Sequence, residues 1–267
     1  MNIIRITLAA LAAFGIHGAA QADWVTTSSS GSPVLSTCNP KTGSPATQSA
    51  TLTTCKVDGL PGSAAVPGYI LKASRSAPII VNSVTVGTLY DRVYCKGTGT
   101  TCDATNTYIL ATRANLNTAV WSPLTTESFE INDYFRAIRS TVGADIAYFM
   151  GTVDGGTSAD TALARKYLEY SGRTLKGLGE YTGSPSGLNP TRSNGWIDFR
   201  VDTNANDPDA VPPYSYSSPW SPWLFVRQTC SNGYTTTAQS QSVRLWQGGE
   251  EEQPPQAILT SGYRCNA

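Results

Sequence analysis

The sequence predicts a mainly β fold: a disulfide-stapled β-sandwich or jelly-roll-like domain with two short helices and a weakly ordered N-terminal arm. Three observations carry that expectation. Apolar and polar residues alternate over several short stretches, as in half-buried strands. The chain has 6 cysteines, an even number, all placed after the first apolar stretch. Charged residues make up 14% of the chain, against about a quarter in ordinary globular domains, and Gly, Ser and Thr are plentiful.

Residues 1–22 read as a signal peptide. Arg5 supplies a positive start, Ile6 to Ile16 is mostly apolar, and Ala20-Gln21-Ala22 is an A-x-A cleavage site before Asp23. The apolar run is too short for a membrane span, and no later segment replaces it. Export to the periplasm or the exterior is the expected outcome.

Losing residues 1–22 removes one arginine, leaving 18 basic against 19 acidic residues. So even a balance provides no long-range field for nucleic acid or an anionic membrane. The leader also takes His17, the only histidine. Ser-His-Asp and Cys-His catalysis and histidine-ligated zinc, copper or haem therefore each lack an essential group.

In an oxidising compartment the cysteines read as three disulfides. Fifteen pairings are open to six cysteines; neighbour pairing gives Cys38–Cys55, Cys95–Cys102 and Cys230–Cys265. Residues 23–67 form the Ser/Thr/Gly-rich arm, with little to bury, stapled by the first pair. Residues 68–267 are expected to form a single β-rich domain.

Within that domain, Ile79 to Val81 and then Val84, Val86, Thr88 and Tyr90 read as strands. Leu89, Asp91, Val93 and Cys95 mirror Tyr108, Leu110, Thr112 and Ala114. The glycine-rich 96–101 stretch between them suggests a hairpin clipped by Cys95–Cys102. Over Trp121 to Gly143 the period changes: Ile131, Tyr134, Phe135, Ile138 and Val142 recur at helical spacing, predicting a helix capped by Ser128. Residues 145–153 read as a buried strand. Asp160 is expected to cap a second helix over 161–170, and the Gly/Pro/Ser-rich 172–194 reads as a long loop.

Ile197, Phe199 and Val201 alternate with Asp198, Arg200 and Asp202, the clearest strand in the chain. The exit from it carries Asp202, Asn204, Asn206, Asp207 and Asp209, five side-chain oxygens at a spacing that suits Ca²⁺. The EF-hand pattern fails for want of its glycine and closing Glu, so a calcium site and a solvated turn are the two readings. Ser218-Pro219-Trp220-Ser221-Pro222-Trp223 follows and leads into the strand ending at Cys230. This W-S-P-W step resembles the tryptophan step of thrombospondin type 1 repeats, where arginines stack between indoles. The resemblance covers only these few residues and lacks that family's following cysteine and arginine spacing, so nothing more is carried over. Trp220, Trp223 and Arg227 are the candidate ligand-binding residues: an aromatic platform for a sugar ring or peptide, against plain packing at an irregular edge. Strands around Val243–Leu245 and over 257–263 complete the chain.

The leading functional expectation is a secreted, non-enzymatic module that binds a surface glycan or matrix ligand. The alternatives are a structural or accessory subunit of a cell-surface or pilus-like assembly, joined by strand exchange, and a carboxylate-dependent glycosidase. The last needs two acids about 5 to 9.5 Å apart, with Asp198 or Asp202 supplying one.

Overall fold

The computed structural model describes residues 24–27, 55–124, 126–139, 141–149, 168–172, 195–206, 219–248 and 254–266. The expected signal peptide, Cys38, Asp207 and Asp209 lie outside them. In chain order the strands are β1 (Val25–Thr27), β2 (Tyr69–Val81), β3 (Val84–Thr98), β4 (Thr101–Cys102), β5 (Thr107–Leu116) and β6 (Glu130–Ala137). They continue with β7 (Ala144–Phe149), β8 (Leu168–Gly172), β9 (Trp196–Asn204), β10 (Trp223–Thr229), β11 (Gln239–Gln247) and β12 (Gln256–Gly262).

Among the described residues there are two antiparallel sheets. The larger, of seven strands, runs β1-β7-β10-β5-β3-β2, with β4 paired to β3; the smaller, of five, runs β12-β11-β6-β9-β8. Their facing sides share one core, in which Val86, Leu89, Leu224 and Val226 of the larger sheet pack with Ile131, Tyr134, Phe199 and Leu245 of the smaller.

Local chemistry explains the long hairpins. β2 turns into β3 through Asn82 and Ser83, both with positive φ (49° and 69°), the conformation a two-residue hairpin loop needs. β3 then pairs with β5 in the register read from the sequence, Leu89 opposite Ala114, Asp91 opposite Thr112, Val93 opposite Leu110 and Cys95 opposite Tyr108. The disulfides Cys95–Cys102 and Cys230–Cys265 are both formed. Cys55 is buried and disulfide-bonded as well.

The two expected helices are the correction. No described residue is helical. Residues 130–137 are strand β6, and residues 168–170, the described part of the second expected helix, open strand β8. Helical spacing misleads at β6 for two reasons. The strand is buried on both faces, so apolar side chains occur on either side: Tyr134 enters the main core while Phe135 meets Trp246 on the opposite face. The ladder to β9 also shifts register between Ile131 and Asp133. That irregularity lets Ile131 and Tyr134, three residues apart, share the main core. Among the described residues no helix is long and apolar enough to cross a membrane.

A buried polar contact joins the sheets. Arg136 of β6 donates from Nη1 to Asp91 Oδ1 of β3 (2.7 Å) and to Thr112 Oγ1 of β5 (2.9 Å), and from Nη2 to the Tyr263 carbonyl. Asp91 Oδ2 accepts the Tyr263 amide at 2.6 Å. Gly262 lies against this group: a Cβ there would come within 2.8 Å of Asp91 Oδ2 and 2.9 Å of Val243 Cγ2. A methyl has no room. Burial pushes the Asp91 carboxyl above its ordinary range, although Arg136 and the Tyr263 amide pull it down.

A second core covers the outer face of the larger sheet. Residues 55–67 lay Val57 and Val66 over Tyr94, Ile109, Ala111, Trp223 and Phe225, with Trp24 at its margin. Trp24 and the strand β1 that follows it close the β7 edge, where Thr26 faces Asp145.

Candidate functional site

Alternation along β10 turns Trp223, Phe225 and Arg227 to the outer face, away from Leu224 and Val226. At the end of the strand this row opens into a polar cleft of about 390 Å³. It is lined by Tyr69, Lys96, Thr107, Asp145, Arg227, Gln228 and Thr229 of β2, β3, β5, β7 and β10, and by Gly143 just before β7. Next to its lining residues along the strands, Cys95, Cys102, Cys230 and Cys265 belong to one apolar cluster with Val93, Tyr108 and Leu110, so both described disulfides brace this end of the sheet.

Arg227 is the centre of the cleft. It stands opposite Asp145 in the β10–β7 ladder and donates to Asp145 Oδ2 from Nε at 2.9 Å, with Nη2 at 2.8 Å from the same oxygen. Thr26 of β1 donates to the other carboxylate oxygen at 2.7 Å. The guanidinium sits 4.3 Å from the Trp24 ring centroid, and Nη1 reaches the Tyr69 hydroxyl at 3.5 Å. A planar cation held by a carboxylate on one edge and an indole on its face is oriented in advance of any ligand.

The other sequence candidates fall elsewhere. Trp223 is 1% exposed in the second core, with the Arg92 guanidinium 4.6 Å from its ring centroid. Trp220 is half-buried, stacked on Tyr90 at 5.7 Å with Arg113 on its ring at 4.4 Å. Arginines thus lie on both indoles of the W-S-P-W step, but they come from β3 and β5, far away in sequence. The step itself is an irregular lead into β10. Ser221 bonds Ala114 through backbone and hydroxyl, and its carbonyl accepts from buried Arg113 Nε at 2.9 Å. Trp220, Trp223 and Arg227 therefore do not converge, and only Arg227 lines the cleft.

Of the five expected calcium ligands, Asp202 and Asn204 lie in β9 and Asn206 just after it. Asn204 is buried opposite Glu130, while Asn206 is exposed and its carbonyl accepts from Ser128 Oγ at 3.3 Å. Among the described residues no three His, Cys, Asp or Glu side chains gather as a metal cluster.

The smaller sheet holds a feature that the sequence did not signal. Asp198, on the polar side of the β9 alternation, is fully buried, close to the equally buried Asp133 of β6. Burial foremost, then the Asp133 charge, pushes Asp198 well above the usual carboxylate range. Two carboxyls buried side by side suit a shared proton. The folded state therefore holds a proton that the unfolded chain releases above the ordinary value of 3.8. Stability must fall as pH rises from there toward the raised value, and Asp91 contributes with the same sign. Asp198→Asn is expected to raise the melting temperature at neutral pH and to make its decline with pH shallower. Thermal melts across about pH 4 to 8 check this, and a lower neutral melting temperature would contradict it.

Compared with protein-family models, with curated proteins and with solved structures, the chain matches none.

Proposed function

We propose that this chain is an exported, non-enzymatic binding module that holds a surface or matrix glycan in the cleft around Arg227. The observation that carries the reading is the cleft: five strands of one braced sheet present a tyrosine, hydroxyls and an oriented guanidinium to solvent around about 390 Å³. Sugars are recognised by such sets of placed polar groups beside an aromatic side chain, and sites built on strands hold their geometry better than sites on loops. Disulfides at the cleft's end of the sheet fit an oxidising compartment.

Assembly by strand exchange has less support. It would use the outer edge of β2, which pairs with no further strand among the described residues and where Leu71 and Ile80 are exposed. That edge is interrupted by Pro78, by Lys72 and by register shifts at Leu71/Ala73 and Ile79/Ile80, the devices that keep sheet edges from pairing.

Arg227→Lys keeps the charge and loses the fork that grips Asp145 and covers Trp24. It is expected to lower retention on a glycan array by about tenfold, the effect of one charge-assisted hydrogen bond, while the protein stays folded. Undiminished retention would remove the cleft from the reading.

A further inference from the structure

The cleft is unevenly supplied with hydrogen-bonding groups. Its carboxylate is already engaged: Asp145 Oδ1 accepts from Thr26 and Oδ2 from Arg227. Gln228, 3% exposed, is buried with its Oε1 accepting the Arg139 amide at 3.2 Å. On the donor side, Arg227 has five N–H groups, and its contacts with Asp145 and Tyr69 use three, from Nε, Nη2 and Nη1.

Lys96, opposite Tyr69 in the β2–β3 ladder, is exposed at the rim, and its Nζ makes no hydrogen bond among the described residues. Its acidic neighbour, Asp103, is bonded through Oδ1 to the Thr105 hydroxyl and amide. Thr105 gives its one hydroxyl proton to Asp103, so Thr107, 3.1 Å away, donates to Thr105 Oγ1, and the free donors of the cleft are those of Arg227 and Lys96. Two cations and one carboxylate therefore line a cleft whose uncommitted groups are mostly donors.

We infer that the cleft selects acidic saccharides, receiving a uronate carboxylate between Arg227 and Lys96, with Tyr69 against the sugar ring. This rests on the glycan reading above and names its ligand class. A neutral sugar would bring hydroxyls that both give and accept, and the surplus donors would find fewer acceptors. A carboxylate supplies acceptors alone and is matched bidentately by a guanidinium.

The test titrates the full chain with oligogalacturonate and with the same oligosaccharide methyl-esterified, which removes the charge and keeps the sugar. The acid form is expected to bind at least about tenfold tighter at low salt, with the preference shrinking as salt rises. Lys96→Gln, at an exposed position where folding is not at stake, is expected to abolish most of that preference. Equal affinities for acid and ester, or a preference that survives Lys96→Gln, would overturn the inference. A glycan array run in parallel separates the two levels. Neutral glycans retained without acid preference would sink the acidic class alone, whereas no glycan retained at all would sink the underlying reading with it.

Discussion

Arg136→Ala is expected to destabilise the protein by about 3–5 kcal/mol, the cost of leaving one partner of a buried ion pair behind. Asp91 and Arg136 are 1% and 2% exposed, so neither charge can turn to water. Without Arg136, Asp91 keeps the Tyr263 amide but loses its cation, and Thr112 and the Tyr263 carbonyl lose a donor. The carboxyl, already raised by burial, would rise further, so the loss should deepen with increasing pH through the range where the unfolded chain ionises. Urea unfolding with the disulfides intact measures it. A double replacement, Asp91→Leu with Arg136→Met, is expected to recover most of the loss, since an apolar pair of similar volume removes both desolvated charges. A single variant that loses less than about 1 kcal/mol, the range of exposed pairs, would show that the contact does not join the sheets.

Trp223→Ala is expected to cost a similar amount, about 3–5 kcal/mol for deleting a large buried aromatic, and to leave ligand binding to the folded fraction unchanged. The indole is 1% exposed, packed with Val57, Tyr94 and Phe225, and covered by Arg92 at 4.6 Å. Its removal opens a cavity that residues 55–67 on one side and β5 on the other must line, and it strips Arg92 of its cation–π partner. If Trp223 were a ligand platform, the pattern would reverse, with an unchanged melt and lost ligand. Denaturation and glycan retention measured on the same variant distinguish the two.

What the sequence disclosed was what local patterns govern. The β3–β5 register followed from two runs that mirror each other about a glycine-rich turn, and a short loop between Cys95 and Cys102 made that bridge the simplest pairing. Alternation also placed Ile197, Phe199 and Val201 in the core. It failed where both faces of a strand are buried. At β6 it mimicked a helix, and at β9 it assigned Asp198 to a polar face that the fold buries against Asp133.

The cleft was legible only through Arg227. Asp145 is 82 residues from it in sequence and Tyr69 158, and only the strand order β7-β10-β5-β3-β2 brings them together. The arginines on Trp220 and Trp223 came likewise from other strands, so the W-S-P-W step taken by itself suggested a platform where the fold makes packing.

The central claim is that ligand enters at Arg227, and residue-resolved mapping tests it most directly. Backbone and side-chain NMR shifts of the labelled protein, recorded as an array-selected glycan is titrated in, are predicted to move first and furthest at Tyr69, Lys96, Arg227 and Thr229. They should leave Trp220 and β9 largely in place. Saturable shifts centred on Trp220 or on the exit of β9 at Asn204 and Asn206, with Arg227 unmoved, would contradict the account.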